Sequence, residues 1–175
     1  LSLFLKHAQG ISININEITD VEKAEGVPGR IDLIPLSRLK SDDALPGRPS
    51  RDGGRAMAQY IVAAVEMAKQ GQISAMVTCP ISKTLLNEAG YNFEGHTQLI
   101  ARLTGARDYV MMLAGDRLRV TLVTIHCALK DVPHMINNEN ILSTIRITHR
   151  ALKDDFGIAG PRIAVAALNP HAGES

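Results

Sequence analysis

Cysteine is scarce, at two residues in 175, and neither sign of charge is in excess: 19 basic and 18 acidic side chains leave a formal net charge of +1. A chain this long builds an apolar core without disulfide staples, so Cys79 and Cys127 read as free thiols in a reducing cytoplasmic setting. The two signs are interspersed, which removes the electrostatic case for nucleic acid or an anionic membrane surface as partner. No apolar run approaches the roughly 20 residues that span a bilayer, and the start lacks a basic leader with a cleavage site. The expectation is an untargeted, soluble protein whose partners are small molecules or further copies of itself.

What is present is ordinary globular composition, 45% hydrophobic and 21% charged. Residues up to 54 hold short apolar runs broken by glycine and proline, which suits strands and loops, and 45–54 is the one stretch that resembles a linker. Apolar residues then recur at helical spacing over 55–71. A β-rich run at 73–79 predicts a strand, followed by a helix over 81–89 closed by Gly90. A short helix at 98–103, strands at 109–114 and 118–125, and a turn through 128–133 come next. A long helix capped by Asn138 or Asn140 carries Ile141, Leu142, Ile145, Leu152 and Phe156 on one face and exits at Gly157; a last strand is predicted at 162–168. Strands alternating with amphipathic helices imply an α/β protein with a mainly parallel sheet, whose ligands bind beyond the carboxyl ends of strands.

Several of those strand ends carry reactive side chains. His126 and His171 each follow a β-rich run, and imidazoles at neighbouring strand ends can converge on one divalent ion. Spacing alone leaves open the alternative that each ring merely bonds a backbone carbonyl. His96 and Thr97 follow Gly95 at the start of a helix, where free N–H groups and the helix dipole favour a phosphate; Thr97 is equally readable as the N-cap. Lys83, in the first turn after Pro80, faces the dipole unfavourably, so it either meets a substrate anion or sits solvated. His149 falls on the packed face of the long helix, as a core or subunit-interface residue. Strand alternation points Cys127 away from His126, and Asp131 is either a turn carboxylate or an acceptor for that imidazole.

Taken in order, Gly47-Arg48-Pro49-Ser50 with Gly53-Gly54-Arg55, Thr78-Cys79-Pro80-Ile81-Ser82-Lys83, Gly95-His96-Thr97, Val110-Met111-Met112-Leu113, Thr124-Ile125-His126 with Leu129-Lys130-Asp131-Val132, and Leu168-Asn169-Pro170-His171-Ala172-Gly173-Glu174 resemble the pattern of the 4-hydroxythreonine-4-phosphate dehydrogenase family. The likeness covers nearly all of the chain from Gly47 onward. Ile125, Cys127 and Ala128 depart from it, where the family pattern has Thr, Leu or Ile, and Pro.

The resemblance implies that His126 and His171 are two of three histidine ligands to a divalent metal (Zn, Mg or Co), and that His96 and Thr97 contact a phosphorylated substrate. It implies NAD, or NADP, as hydride acceptor and a homodimer that completes the site. The implied fold is the two-domain α/β architecture of isocitrate and isopropylmalate dehydrogenases, only partly covered here, with residues 1–84 in the first domain and 85–175 in the second, dimerising one. The implied reaction oxidises 4-phosphooxy-L-threonine and decarboxylates the product to 3-amino-2-oxopropyl phosphate, on the route to pyridoxal 5'-phosphate. Both ends look cut, because the family pattern extends ahead of Leu1 and past Ser175 to the third histidine and most dinucleotide contacts. This piece alone is expected to bind metal weakly and not to turn over. Two alternatives stand beside that reading: a dehydrogenase of 4-phospho-D-threonate or D-erythronate from the same family, and a non-catalytic α/β module that binds a phosphorylated metabolite.

Overall fold

The structure is a computed structural model and describes residues 13–45, 47–93 and 95–172; Gly173 and Glu174 of the last motif lie outside them. The chain divides into two compact units between Gly105 and Ala106. The two short helices at 83–88 and 96–104 belong to the first unit, because they pack on its long helix.

In the first unit, strands β1 (Asn14–Glu17) and β2 (Arg30–Leu33) pair in parallel, with Asn14 opposite Arg30 and Glu17 opposite Leu33. The crossover between them is a single 3-10 turn, Val21–Lys23, rather than a helix. A carboxylate ties it down. The Asp32 side chain is only 9% exposed and accepts from the Asn16 amide at 2.8 Å and from the backbone N–H of Glu25 and Gly26 at 2.9 and 3.2 Å, with the Arg30 Nε at 3.1 Å as ion partner.

Helix α1 (Arg51–Lys69) begins earlier than the apolar repeat suggests, because Ser50 Oγ accepts the Gly53 N–H at 3.0 Å and carries Gly53 and Gly54 into the first turn. The supposed linker at 45–54 is therefore helix from Arg51 onward. Gly71, at φ 71°, ends α1 by turning back so that the Gln72 N–H reaches Met67 O. Helices α2 (Lys83–Glu88), capped by Ser82, and α3 (His96–Thr104), closed by left-handed Gly105, lie against it. Their contact is the core: Ala58, Ile61 and Val65 of α1 enclose Leu86 of α2 and Leu99 of α3. Gly54 permits the approach, since a Cβ there would sit 2.8 Å from Leu85 O and 2.9 Å from Leu85 Cβ.

The second unit opens with an antiparallel hairpin, β3 (Met111–Ala114) and β4 (Arg119–Leu122), in which Met111 faces Leu122. A short helix α4 (Val132–Met135) leads to the long α5 (Asn138–Asp154). The cap of α5 is Asn137, whose side chain accepts the Asn140 N–H at 2.9 Å, and not Asn138 or Asn140. Helix α5 packs on β4, burying Thr148 and Leu152, and the Arg119 guanidinium lies 4.5 Å from the centre of the Phe156 ring. His149 is exposed, which corrects its placement in the core; Thr148, one residue earlier, takes the inward position.

Helices and strands mix as an α/β chain requires, but the sheet differs from expectation. Among the described residues there is one parallel and one antiparallel pair in place of a mainly parallel sheet. Residues 73–79 and 162–168, both expected as strands, run without regular secondary structure. A strand exists by virtue of its ladder, and no backbone hydrogen bond joins 73–80 or 161–168 to another described residue.

Two outcomes test this packing. Substituting Gly54→Ala gains up to about 1 kcal/mol of helix propensity, but the clash with the Leu85 backbone costs about 1–3 kcal/mol, so urea denaturation is expected to show a net loss. For Asp32, the Asn16 amide first, then the Glu25 and Gly26 N–H groups and the charge of Arg30, hold the carboxyl below its ordinary value of 3.8. A depressed folded-state pKa stabilises the protein above the unfolded value and loses that contribution as pH falls through the folded one. Acid unfolding followed by circular dichroism is expected to show this loss below about pH 4, and Asp32→Asn to lack that component while being less stable at neutral pH.

Candidate functional site

The side chains singled out in the sequence fall into two groups, one in each unit. In the first, α3 starts directly at His96, with Gly95, which has no side chain to cap with, as its N-cap in extended backbone. Thr97 is the second helical residue, which removes the reading in which it is the N-cap. Both residues are half-buried, and His96 Nε2 is sealed from solvent with no hydrogen-bond partner among the described residues. The cause is angular. His96 stands three positions before Leu99, so the two share the helix face turned to the core. A ring nitrogen enclosed this way costs about 1–3 kcal/mol unless something bonds to it. Lys83 opens α2, is exposed and forms no ion pair among the described residues; Ser82 does the capping.

In the second unit His126 follows β4 and His171 lies in the 3-10 turn Pro170–Ala172. Both rings belong to exposed residues. Their backbones are unusual: among the described residues these are the two non-glycine positions in the left-handed region, with φ of 53° and 62°. Left-handed backbone costs an L-residue about 1–2 kcal/mol, and such strain gathers at functional sites. Nothing in the residue-type argument selected these positions for strain, so the two lines of reasoning are independent.

The same geometry corrects the account of Cys127. Residues 123–128 are bends and coil with a left-handed turn at His126, so strand alternation does not apply there; Cys127 is half-buried. Asp131 is exposed, its N–H donates to Ala128 O, and its side chain makes no hydrogen bond among the described residues, as in an ordinary turn. Cys79 and Cys127 are both free.

Two exposed imidazoles in constrained turns suit a transition metal in donor type. They are fewer than the three protein ligands of an open catalytic zinc site, and no group of three His, Cys, Asp or Glu side chains able to hold a metal occurs among the described residues. An open hollow beside β1, lined in part by Asn16, Thr19, Glu22 and Glu25, contains none of the candidate residues. The Asp32 cluster was missed in the sequence because its partners at Asn16, Glu25 and Gly26 meet only through the β1–β2 pairing. No helix is long and apolar enough to cross a membrane among the described residues.

Comparison with known proteins agrees with the motifs. The family described as "Pyridoxal phosphate biosynthetic protein PdxA" matches residues 2–175. The chain is 51% identical over 146 residues to the 4-hydroxythreonine-4-phosphate dehydrogenase of Desulforapulum autotrophicum, covering 83% of this chain and 43% of that one. It is 47% identical over 135 residues to a Bradyrhizobium diazoefficiens protein with the provisional name D-threonate 4-phosphate dehydrogenase, covering 77% of this chain and 39% of that one. A crystal structure of a 4-hydroxythreonine-4-phosphate dehydrogenase from Burkholderia phymatum superimposes with a TM-score of 0.80 at 39% identity, over 93% of this chain and 48% of that one. The chain thus spans about half the length, or less, of the relatives it matches. With a family match along almost its whole length, the chain belongs to the pyridoxal phosphate biosynthetic protein PdxA family.

Proposed function

We propose that these residues form part of a dehydrogenase that oxidises 4-phosphooxy-L-threonine with NAD, or NADP, and decarboxylates the product to 3-amino-2-oxopropyl phosphate for pyridoxal 5'-phosphate synthesis. Family membership supports the oxidoreductase class. Within it, the observation that carries the assignment of residues is the pair of left-handed histidines, His126 and His171, in the Thr124-Ile125-His126 and Asn169-Pro170-His171 motifs.

In this reading His126 and His171 hold a divalent cation (Zn, Mg or Co) together with a third ligand. When bound there, such an ion lowers the pKa of a substrate hydroxyl and polarises the carbonyl that replaces it. A bound nicotinamide would supply the acceptor for the hydride of the carbinol carbon, a base would take the hydroxyl proton, and the resulting β-keto acid would lose carbon dioxide. His96 and Thr97 are read as contacts for the substrate phosphate. The start of α3 presents N–H groups and a positive dipole to the substrate phosphate, and Thr97 adds a hydroxyl. The wider setting is a cytoplasmic homodimer with the two-domain architecture of isocitrate and isopropylmalate dehydrogenases.

The Bradyrhizobium diazoefficiens relative supports a second reading, a 4-phospho-D-threonate or D-erythronate dehydrogenase. Both use the same phosphate and hydroxyl chemistry and differ at the amino-bearing carbon, so rates of NADH formation with each substrate in a full-length protein separate them.

Calorimetric titration of the chain with Zn2+ or Co2+ is expected to show weak binding that His126→Ala and His171→Ala each weaken by roughly tenfold or more. Unchanged binding in both variants would remove the metal assignment. Strain gives a companion test. At His126, glycine relieves about 1–2 kcal/mol of left-handed strain against about 0.5–1 kcal/mol of added chain entropy. His126→Gly is therefore expected to unfold at slightly higher denaturant than the native chain while its metal affinity falls, and a loss of stability would show that the imidazole's role is structural.

A further inference from the structure

In the second unit two side-chain polar atoms are sealed from solvent with no hydrogen-bond partner among the described residues: Thr148 Oγ1 on α5 and Arg119 Nε on β4, the two elements that pack together. Arg119 is half-buried and forms no ion pair among the described residues; what faces its charge is the Phe156 ring, 4.5 Å away. An N–H sealed without an acceptor costs about as much as a cation over an aromatic face returns, so the contact adds little net stability. Apolar side chains of similar volume would fill the same space without stranding a donor. Stability therefore leaves the choice of these two residues unexplained.

Their positions supply a reason. Arg119 opens β4, and His126 follows it by seven residues; Phe156 stands just past α5, and His171 follows it by fifteen. From β4 to His126, and from α5 to the turn that holds His171, the chain has no helix or strand. The last of these elements before each left-handed histidine is thus one of the two that Arg119 and Phe156 join, apart from the turns themselves. Phe156 is held to the end of α5, because its N–H donates to Ala151 O at 3.1 Å and the Ile158 N–H donates to Leu152 O at 2.9 Å. A planar guanidinium over a ring also fixes distance and tilt, which interchangeable apolar contacts leave adjustable. We propose that the contact of Arg119 with Phe156 sets the placement of the two histidine turns relative to each other, with Arg119 a positioning residue for His126 and His171. This rests on the reading in which the two histidines act together.

Imidazole signals of the metal-free protein, followed by proton–nitrogen NMR, test the placement without metal or substrate. Arg119→Met keeps the stem and removes the charge; it is expected to shift the ring signals of both His126 and His171 and to leave the helical circular dichroism unchanged. Phe156→Leu is expected to shift the same two signals and Phe156→Tyr to keep them, and combining Arg119→Met with Phe156→Leu to go no further than either alone. Should Arg119→Met fail to fold, Phe156→Leu carries the same comparison. Affinity for Co2+ is expected to fall about two- to fivefold in Arg119→Met and to be retained in Phe156→Tyr. If the native protein binds no Co2+, the metal assignment fails, while the metal-free signals still decide the placement. Three results overturn the proposal: both signals unmoved in Arg119→Met and Phe156→Leu, a shift confined to one histidine, or the same two shifts in Ile141→Val, which trims the opposite end of α5 and leaves the contact intact.

Discussion

Helix α1 governs what the first unit can present to a ligand. Its apolar face, Ala58, Ile61 and Val65, is the surface on which Leu86 and Leu99 settle, and those two leucines fix the rotation of α2 and α3. Once Leu99 is inward, His96 three residues earlier must turn a ring edge toward the core, and Thr97 comes to stand on a different flank. Gly54 belongs to the same constraint, because any side chain there would push the α2 backbone away from α1. The placement of a candidate phosphate-binding turn is therefore a consequence of hydrophobic packing some residues away from it.

Helices were legible because their signals are local. Gly71, Gly90 and Gly105 announce ends and all three adopt positive φ, whereas the starts set by Ser50 and Ser82 differ by a few residues from those that apolar spacing and Pro80 suggest. The hairpin β3–β4 was legible for the same reason, its two runs being joined by a tight turn. Residues 73–79 and 162–168 have similar composition to those strands, but whether they pair depends on chain far away in sequence, which no local pattern encodes. Helix α5 shows a different limit. The stripe through Ile145, His149 and Leu152 and the stripe through Thr148 and Leu152 lie about 100° apart at most, and a polar threonine disguises the one that is buried.

The candidate site was legible as chemistry and illegible as conformation. Residue type singled out His96 and Thr97 at a helix start and His126 and His171 after β-rich runs. That the last two would be left-handed was not inferable, since neither is glycine or asparagine, the residues that usually announce such a turn. The same blind spot explains Cys127: the alternation argument presumed an extended backbone through His126, and the backbone turns there instead.

The conformation nonetheless sharpens the chemical reading. A turn that needs positive φ is built at least cost with glycine, and seven glycines in this structure occupy such positions. At His126 and His171 the chain makes the same kind of turn with an imidazole, accepting about 1–2 kcal/mol at each. Turning the backbone does not require that ring, so the side chain has to be accounted for by something other than the turn. A ligand role does so economically: a tight left-handed turn limits where the ring nitrogen can point, and a donor with few orientations loses little freedom when it coordinates.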